Sequence, residues 1–293
     1  MPRSISLASF ALIGATAVSA PAQSWRTLTA ARQRGTADSL TVHVSLDAGT
    51  VQLAAATTPV LYDYQLRFDA GRVRPERRYD AATHTLRIRS DSVSDNPLSF
   101  DLRRGTMHFA SDGDDDRGTN LTLRLARGVP LSLSFTLGAC DATLDLSNLA
   151  VHRLRLRSGA SESTLTFGTP NPITMSALDI AIGAADLTVR SLGNARADTV
   201  SVSTGVGGAD LDLAGTWAGT MHVVVRAALG SVTLRVPSDA GIEARAATKL
   251  GSLDAPGLVA HDGVYHSANW TSAARKVVLD VSATLANVEI RRE

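Results

Sequence analysis

Acidic residues recur at one fixed place in this chain. Asp141, Glu162, Asp186 and Asp210 each stand three residues after a glycine, at Gly138, Gly159, Gly183 and Gly207. Asp254 and Glu289 hold the same place after Gly251 and Ala286, while Thr233 holds it after Gly230. Were these segments to lie over one another in register, six carboxylates would form a row on one outer face. Neighbours about 5 Å apart repel by roughly 0.8 kcal/mol in water, and less in salt. A row of exposed carboxylate oxygens is a natural seat for Ca²⁺. The competing account is a solvated strand face carrying an acid inherited with the repeat, neutralised by arginines such as Arg190 and Arg235.

A second acidic group lies in "SDGDDDRGTN" at 111–120, where Asp112, Asp114 and Asp116 have calcium-loop spacing. The sixth position is Arg117 instead of glycine, and the twelfth is Leu123 instead of a bidentate glutamate, so an EF-hand is excluded. A looser calcium turn and an ordinary acidic hairpin turn remain as alternatives. Of the histidines only His261 and His266, flanking Asp262, are close in sequence, and zinc wants a tighter and fuller ligand set. No G-x-S-x-G, HExxH, phosphate-loop or dinucleotide fingerprint occurs. Between 61 and 105 there are 9 arginines against 7 acids, a surplus of 2. That surplus suits anionic glycan or lipid headgroups, or outward strand positions with local ion pairs. Trp217, Tyr265 and Trp270 suit a sugar-stacking platform or, given their wide spacing, separate packing roles.

The elements that must position these groups are strands. "LTVHVSL" at 40–46, "LRIR" at 86–89, "LTLRL" at 121–125, "LRLR" at 154–157 and "VTLRV" at 232–236 alternate apolar with polar. Turn residues punctuate the chain every 8–12 positions, and helical periodicity is absent after the N-terminus. The anchors Gly138, Gly159, Gly183, Gly207, Gly230, Gly251 and Ala286 are spaced by 21, 24, 24, 23, 21 and 35 residues. Such a period, with period-2 strands inside it, predicts a single-stack β-solenoid with coils of about 21–24 residues. Residues at even offsets from each anchor face inward, among them Cys140, Leu187 and Leu211. Cys140 is therefore expected in the core and not as a nucleophile. On this alignment Leu187 and Leu211 touch, and "ANVEIRRE" at 286–293 is the last coil, its charges blunting the end of the stack. No matching glycine repeat shows before residue 128. Residues 23–127 are thus expected to form a smaller β-rich domain capping a solenoid of residues 128–293.

Residues 1–22 read as a cleaved signal peptide. Arg3 is the basic start, Ile5 to Val18 is a 14-residue apolar stretch, and Ala20-Pro21-Ala22 fits the cleavage rule, leaving Gln23 first. The stretch is too short for a membrane span, and none follows it. The lone Cys140 excludes both an internal disulfide and a lipid anchor at the cleavage site. A net charge of +1 and 44% apolar residues argue against disorder and against nucleic-acid binding.

The runs "SLDAGTVQL", "YQLRFD" and "RRYDAATHTLRIR" within 45–89 resemble the N-terminal half of the toast-rack family. "VPLSLSFTLGACDATLDLSNL", "IGAADLTVRSLGNAR" and "VGGADLDLAGTW" resemble its solenoid half. That family is similar to the C-terminal domains of cell-wall-active antibiotic response proteins and to proteins described as bacterial adhesins. The resemblance implies a β-solenoid in or beyond the bacterial envelope, with no established enzymatic activity. Unlike membrane-bound members, this sequence carries a signal segment in place of transmembrane helices. The expected function is a non-catalytic, periplasmic or extracellular protein, its solenoid binding an envelope protein or glycan. It takes no cofactor beyond the Ca²⁺ weighed above. The alternative is a carbohydrate-active β-helix enzyme, which the nearly uniform coil length between 138 and 251 disfavours.

Overall fold

The computed structural model describes residues 24–92, 100–101, 106–107 and 118–293. The expected signal segment and Asp112, Asp114 and Asp116 lie outside the described residues. The first strands are β1 (Trp25–Gln33), β2 (Leu40–Ala55), β3 (Val60–Asp69), β4 (Val73–Asp80) and β5 (Thr85–Ser92). Then come β6 (Phe100–Asp101), β7 (Thr106–Met107), β8 (Thr119–Leu125), β9 (Pro130–Asp145) and β10 (Ala150–Ser158). The middle of the chain forms β11 (Ser163–Thr166), β12 (Ala177–Ala184), β13 (Leu187–Arg190), β14 (Thr199–Asp212) and β15 (Gly219–Val236). The last five are β16 (Gly241–Thr248), β17 (Leu253–Asp254), β18 (Leu258–His261), β19 (Val264–Ser267) and β20 (Arg275–Arg292). A short 3-10 turn at Leu192–Ala195 is the one helical segment among the described residues.

Strict alternation makes these strands. In β9 the buried positions are Leu131, Leu133, Phe135, Leu137, Cys140, Ala142 and Leu144, with polar or small residues between them. Parallel in-register pairing stacks the strands into coils, as the repeat predicts. The spatial order is β5 with β8, then β2, β9, β10 with β11, β12 with β13, β14, β15, β20, and finally β16 with β17. Each inward column is a ladder of apolar side chains from successive coils, such as Leu144, Leu165, Val189, Leu211, Leu234 and Ile290.

Three features depart from the sequence expectation. The stack crosses residue 128, because β2 is itself a coil, with Leu40 beside Leu131 and Val51 beside Ala142. The cap beyond it is antiparallel: β1 pairs β3, β3 pairs β8, and β4 pairs β5. Secondly, β20 does not end the stack. It lies between β15 and the coil of β16 and β17. The reason is length: β15 and β20 are both unbroken 18-residue strands, and seventeen residue pairs join them from Gly219↔Arg275 to Val236↔Arg292. The interrupted coil is left at the edge, where the hairpin β18–β19 covers only Glu243 and Ala244.

Thirdly, the register slips by two residues at one step. Leu187 lies beside Ala209, and Val189 beside Leu211, so Leu187 and Leu211 are not ladder partners. Two glycine columns run along this corner. A Cβ on Gly159, Gly183 or Gly205 would strike the preceding coil's glycine carbonyl, at 2.9, 2.5 and 2.4 Å. Gly207 and Gly230 stand in the second column, with φ of +131° and +130°, and a Cβ on Gly230 would lie 1.9 Å from the Gly207 oxygen. At these glycines the close stacking leaves no room for a Cβ. A shift of two preserves the inward parity of every residue, which is why the core assignments survive.

Candidate functional site

The slip breaks the expected acidic row. Asp141, Glu162 and Asp186 share a column, since Ala142, Ser163 and Leu187 are paired neighbours. The next place in that column is taken by Gly208, whose N–H donates to Asp186 Oδ1 at 2.6 Å. Asp210 falls in the adjacent column, with Thr188, Thr233, Glu289 and Asp254. It is ion-paired with Arg235 at 2.8 Å. The corner acids have a local role. Asp141 Oδ1 accepts the Glu162 N–H at 3.2 Å, as Asp186 does for Gly208, and Asn287 Oδ1 accepts the Ser252 N–H at 3.2 Å. Each side chain thus caps the amide that the corner frees in the next coil. Among the described residues no three His, Cys, Asp or Glu side chains converge as a metal-ligand set.

The other sequence candidates are dispersed. Cys140 is fully buried, and burial pushes its thiol up to about 12, so it is not a nucleophile at neutral pH. His261 pairs with exposed Asp262 at 3.3 Å, whereas His266 turns to Glu243 at 3.4 Å and lies against Trp270. Trp217 is buried beneath Arg275, whose guanidinium stands 4.4 Å above its ring, so it presents no sugar platform with Tyr265 and Trp270. Of the N-terminal arginines, Arg67 lies over Trp25, Arg89 pairs with Asp91 at 2.7 Å and Arg72 with Asp69 at 3.8 Å, while Arg103 and Arg104 lie outside the described residues.

The sequence reading missed two surfaces. Val206, Leu229, Leu285 and Leu250 are exposed by 45–74% and lie on successive coils, forming an apolar row beside the second glycine column. Each immediately precedes an anchor residue, which was the available signal.

The other surface is a trough on the outer face of β10, β12, β14 and β15. Strand β10 presents Arg153, Arg155 and Arg157 outward. Beside them β12 presents Ala177, Asp179 and Ala181, and β14 presents Thr199, Ser201 and Ser203. Beyond these, β15 presents His222, Val224 and Arg226. The β10 arginines and, on β15, His222 and Arg226 therefore stand three strand spacings apart, about 14 Å, over a floor of shorter side chains. Two adjoining hollows of about 250 and 390 Å³ occupy this floor, sharing Arg157, Ala181 and Ser203. The second reaches Gly183 and Gly205 at the corner. Arg155 is held by Asp179 at 3.7 Å. Among the described residues, Arg153, Arg157 and Arg226 have no carboxylate partner. The "RLRLR" of β10 is visible in the sequence, but the floor appears only once the coil order is known.

Two family models match this chain. Residues 20–190 match the N-terminal domain of toast_rack, and residues 191–290 match "Cell wall-active antibiotics response LiaF, C-terminal". Among solved structures, a "putative cell adhesion protein" from Clostridium sporogenes has 12% identity and a TM-score of 0.45. That alignment covers 92% of this chain and 100% of the other. A "putative adhesin" from Bacteroides fragilis has 10% identity and a TM-score of 0.35, over 92% of this chain and 98% of its own. No curated protein matches the chain. Among the described residues, no helix is long and apolar enough to cross a membrane.

Proposed function

This chain belongs to the toast-rack family, and on that premise we propose that it is a non-catalytic, exported envelope protein that binds a partner through the outer faces of its solenoid. The observation that carries this reading is the open trough, floored by short side chains and edged by Arg153, Arg157 and Arg226, which have no carboxylate partner among the described residues. Two further features support it. The C-terminal third resembles a cell-wall antibiotic response domain, and residues 1–22 have the layout of a signal peptide. The alternative is a carbohydrate-active β-helix enzyme acting on an envelope or extracellular polysaccharide; in its hydrolytic form it needs two carboxyl groups flanking the bond, roughly 5–10 Å apart. The trough lining offers one, Asp179, which already serves Arg155.

Cell fractionation with N-terminal sequencing, followed by capture of the purified mature protein on washed envelopes, tests the proposal. The expected result is a chain beginning at Gln23, found outside the cytoplasm and retained by envelopes. A cytosolic chain that keeps Met1, or one that washes freely from envelopes, would overturn it.

A further inference from the structure

The trough's chemistry narrows the partner, and this step rests on the binding reading above. We infer that the β10–β15 trough takes one chain of a carboxylate-bearing polysaccharide, lying along the strands between Arg157 and Arg226. Three observations meet there. The floor is two strands wide, and its outward positions from Ala177 to Gly183 and from Thr199 to Gly205 carry nothing larger than Asp179. That stretch is about 20 Å long, at roughly 3.3 Å per residue, so an extended polymer fits it better than a compact ligand. Ser201 and Ser203 supply hydroxyls that both donate and accept, as sugar hydroxyls require. Arg157, free of any acid among the described residues, borders both hollows and offers a planar fork to a carboxylate.

Asp179 sets where the guest can carry its charge. It stands in the floor beside Arg155 and repels a polymer whose backbone links are themselves anions. A chain of uronate rings joined by neutral glycosidic links avoids that clash by setting ring hydroxyls against Asp179 and carboxylates against Arg157. Nucleic acid, with one phosphate per nucleotide, does not. The same geometry explains why the site needs no deep pocket. Affinity would come from several weak contacts along the polymer, each falling with salt.

The test uses the mature protein with polygalacturonate oligomers, neutral dextran of matched length and single-stranded oligo-dT. Isothermal titration is run for wild type, Arg157→Glu, Ala181→Trp and Arg245→Glu. Ala181→Trp fills the floor without changing charge, and Arg245 lies on the same outer face outside the trough. Circular dichroism melts establish that each variant is folded. Polygalacturonate should bind, and both Arg157→Glu and Ala181→Trp should weaken it by about tenfold or more. Arg245→Glu should leave it within about twofold. Dextran and oligo-dT should bind more weakly than polygalacturonate. Equal affinity for oligo-dT, or indifference to Ala181→Trp, would reduce the effect to general electrostatics and overturn the inference. Envelope capture that persists while polygalacturonate fails to bind overturns the inference and leaves the broader reading standing. Loss of both overturns the two together.

Discussion

Replacing Leu211 by alanine tests both the stack and its register. Leu211 is fully buried, with Val189 beside it in one neighbouring coil and Leu234 in the other. The substitution removes three carbons, worth about 2.4 kcal/mol at roughly 0.8 kcal/mol each. A cavity term adds to this, because hydrogen-bonded ladders on both sides hold the backbone and limit collapse. A cost of about 3–4 kcal/mol follows, inside the usual range for buried leucine. Asp210→Ala, one residue away, removes an outward side chain whose ion pair with Arg235 is half-exposed, so it should cost at most about 1 kcal/mol. Urea melts with unchanged slopes would measure both. A double-mutant cycle then reads the register: Leu211 should couple more strongly to Val189 than to Leu187. Stronger coupling to Leu187, or a larger loss for Asp210→Ala, would refute the placement.

Gly230→Ala should destabilise by more than about 3 kcal/mol, since its Cβ meets the Gly207 carbonyl and its φ is positive; a neutral thermal melt would contradict the close coil contact. Arg275 donates to Asp239 and to the Gly215 carbonyl at 2.6 Å and stacks on Trp217, so Arg275→Ala should cost about 1–2 kcal/mol at pH 7. The Arg275 guanidinium holds the Asp239 carboxyl below its ordinary value. That part of the stability is therefore present above the usual aspartate range and is lost as pH falls through the lowered value, so the gap between wild type and variant should narrow below about pH 4. Cys140 should resist a maleimide in the native state and react only at the rate of unfolding; fast labelling would show that the corner opens. Because the corner acids cap backbone amides, calcium or a chelator should leave the melting temperature unchanged, and a calcium-dependent rise would restore the column of Asp141, Glu162 and Asp186 as a ligand strip.

Period-2 alternation and recurrent glycines made the solenoid legible, because each is a local demand: one apolar face per strand, and no Cβ where coils touch. What the chain hides is non-local. Leu40 pairs with Leu131 across 91 residues, so the N-terminal coil shows no short-range period. The C-terminal strand β20 follows β16 in sequence yet precedes it in the stack, and only its length, equal to that of β15, marked it. Gly205 and Gly207 both suit a tight corner, and the acid after Gly207 made the wrong one look equivalent. Asp210 was read into the acidic row for that reason. The trough was illegible for a related one. Arg157 and Ala181 lie 24 residues apart, in step with their anchors, but Ser203 follows Ala181 by only 22, and the true coil register alone makes it their neighbour.

Co-sedimentation of the mature protein with washed envelopes, coupled to size analysis of the envelope polysaccharide after prolonged incubation, bears most directly on a solenoid that binds without catalysis. Wild type should sediment with the envelopes, Arg157→Glu and Ala181→Trp should remain in the supernatant, and the polysaccharide should keep its length. Shortening of the polymer by wild type that is abolished by Asp179→Asn would contradict the account and make the trough an active site.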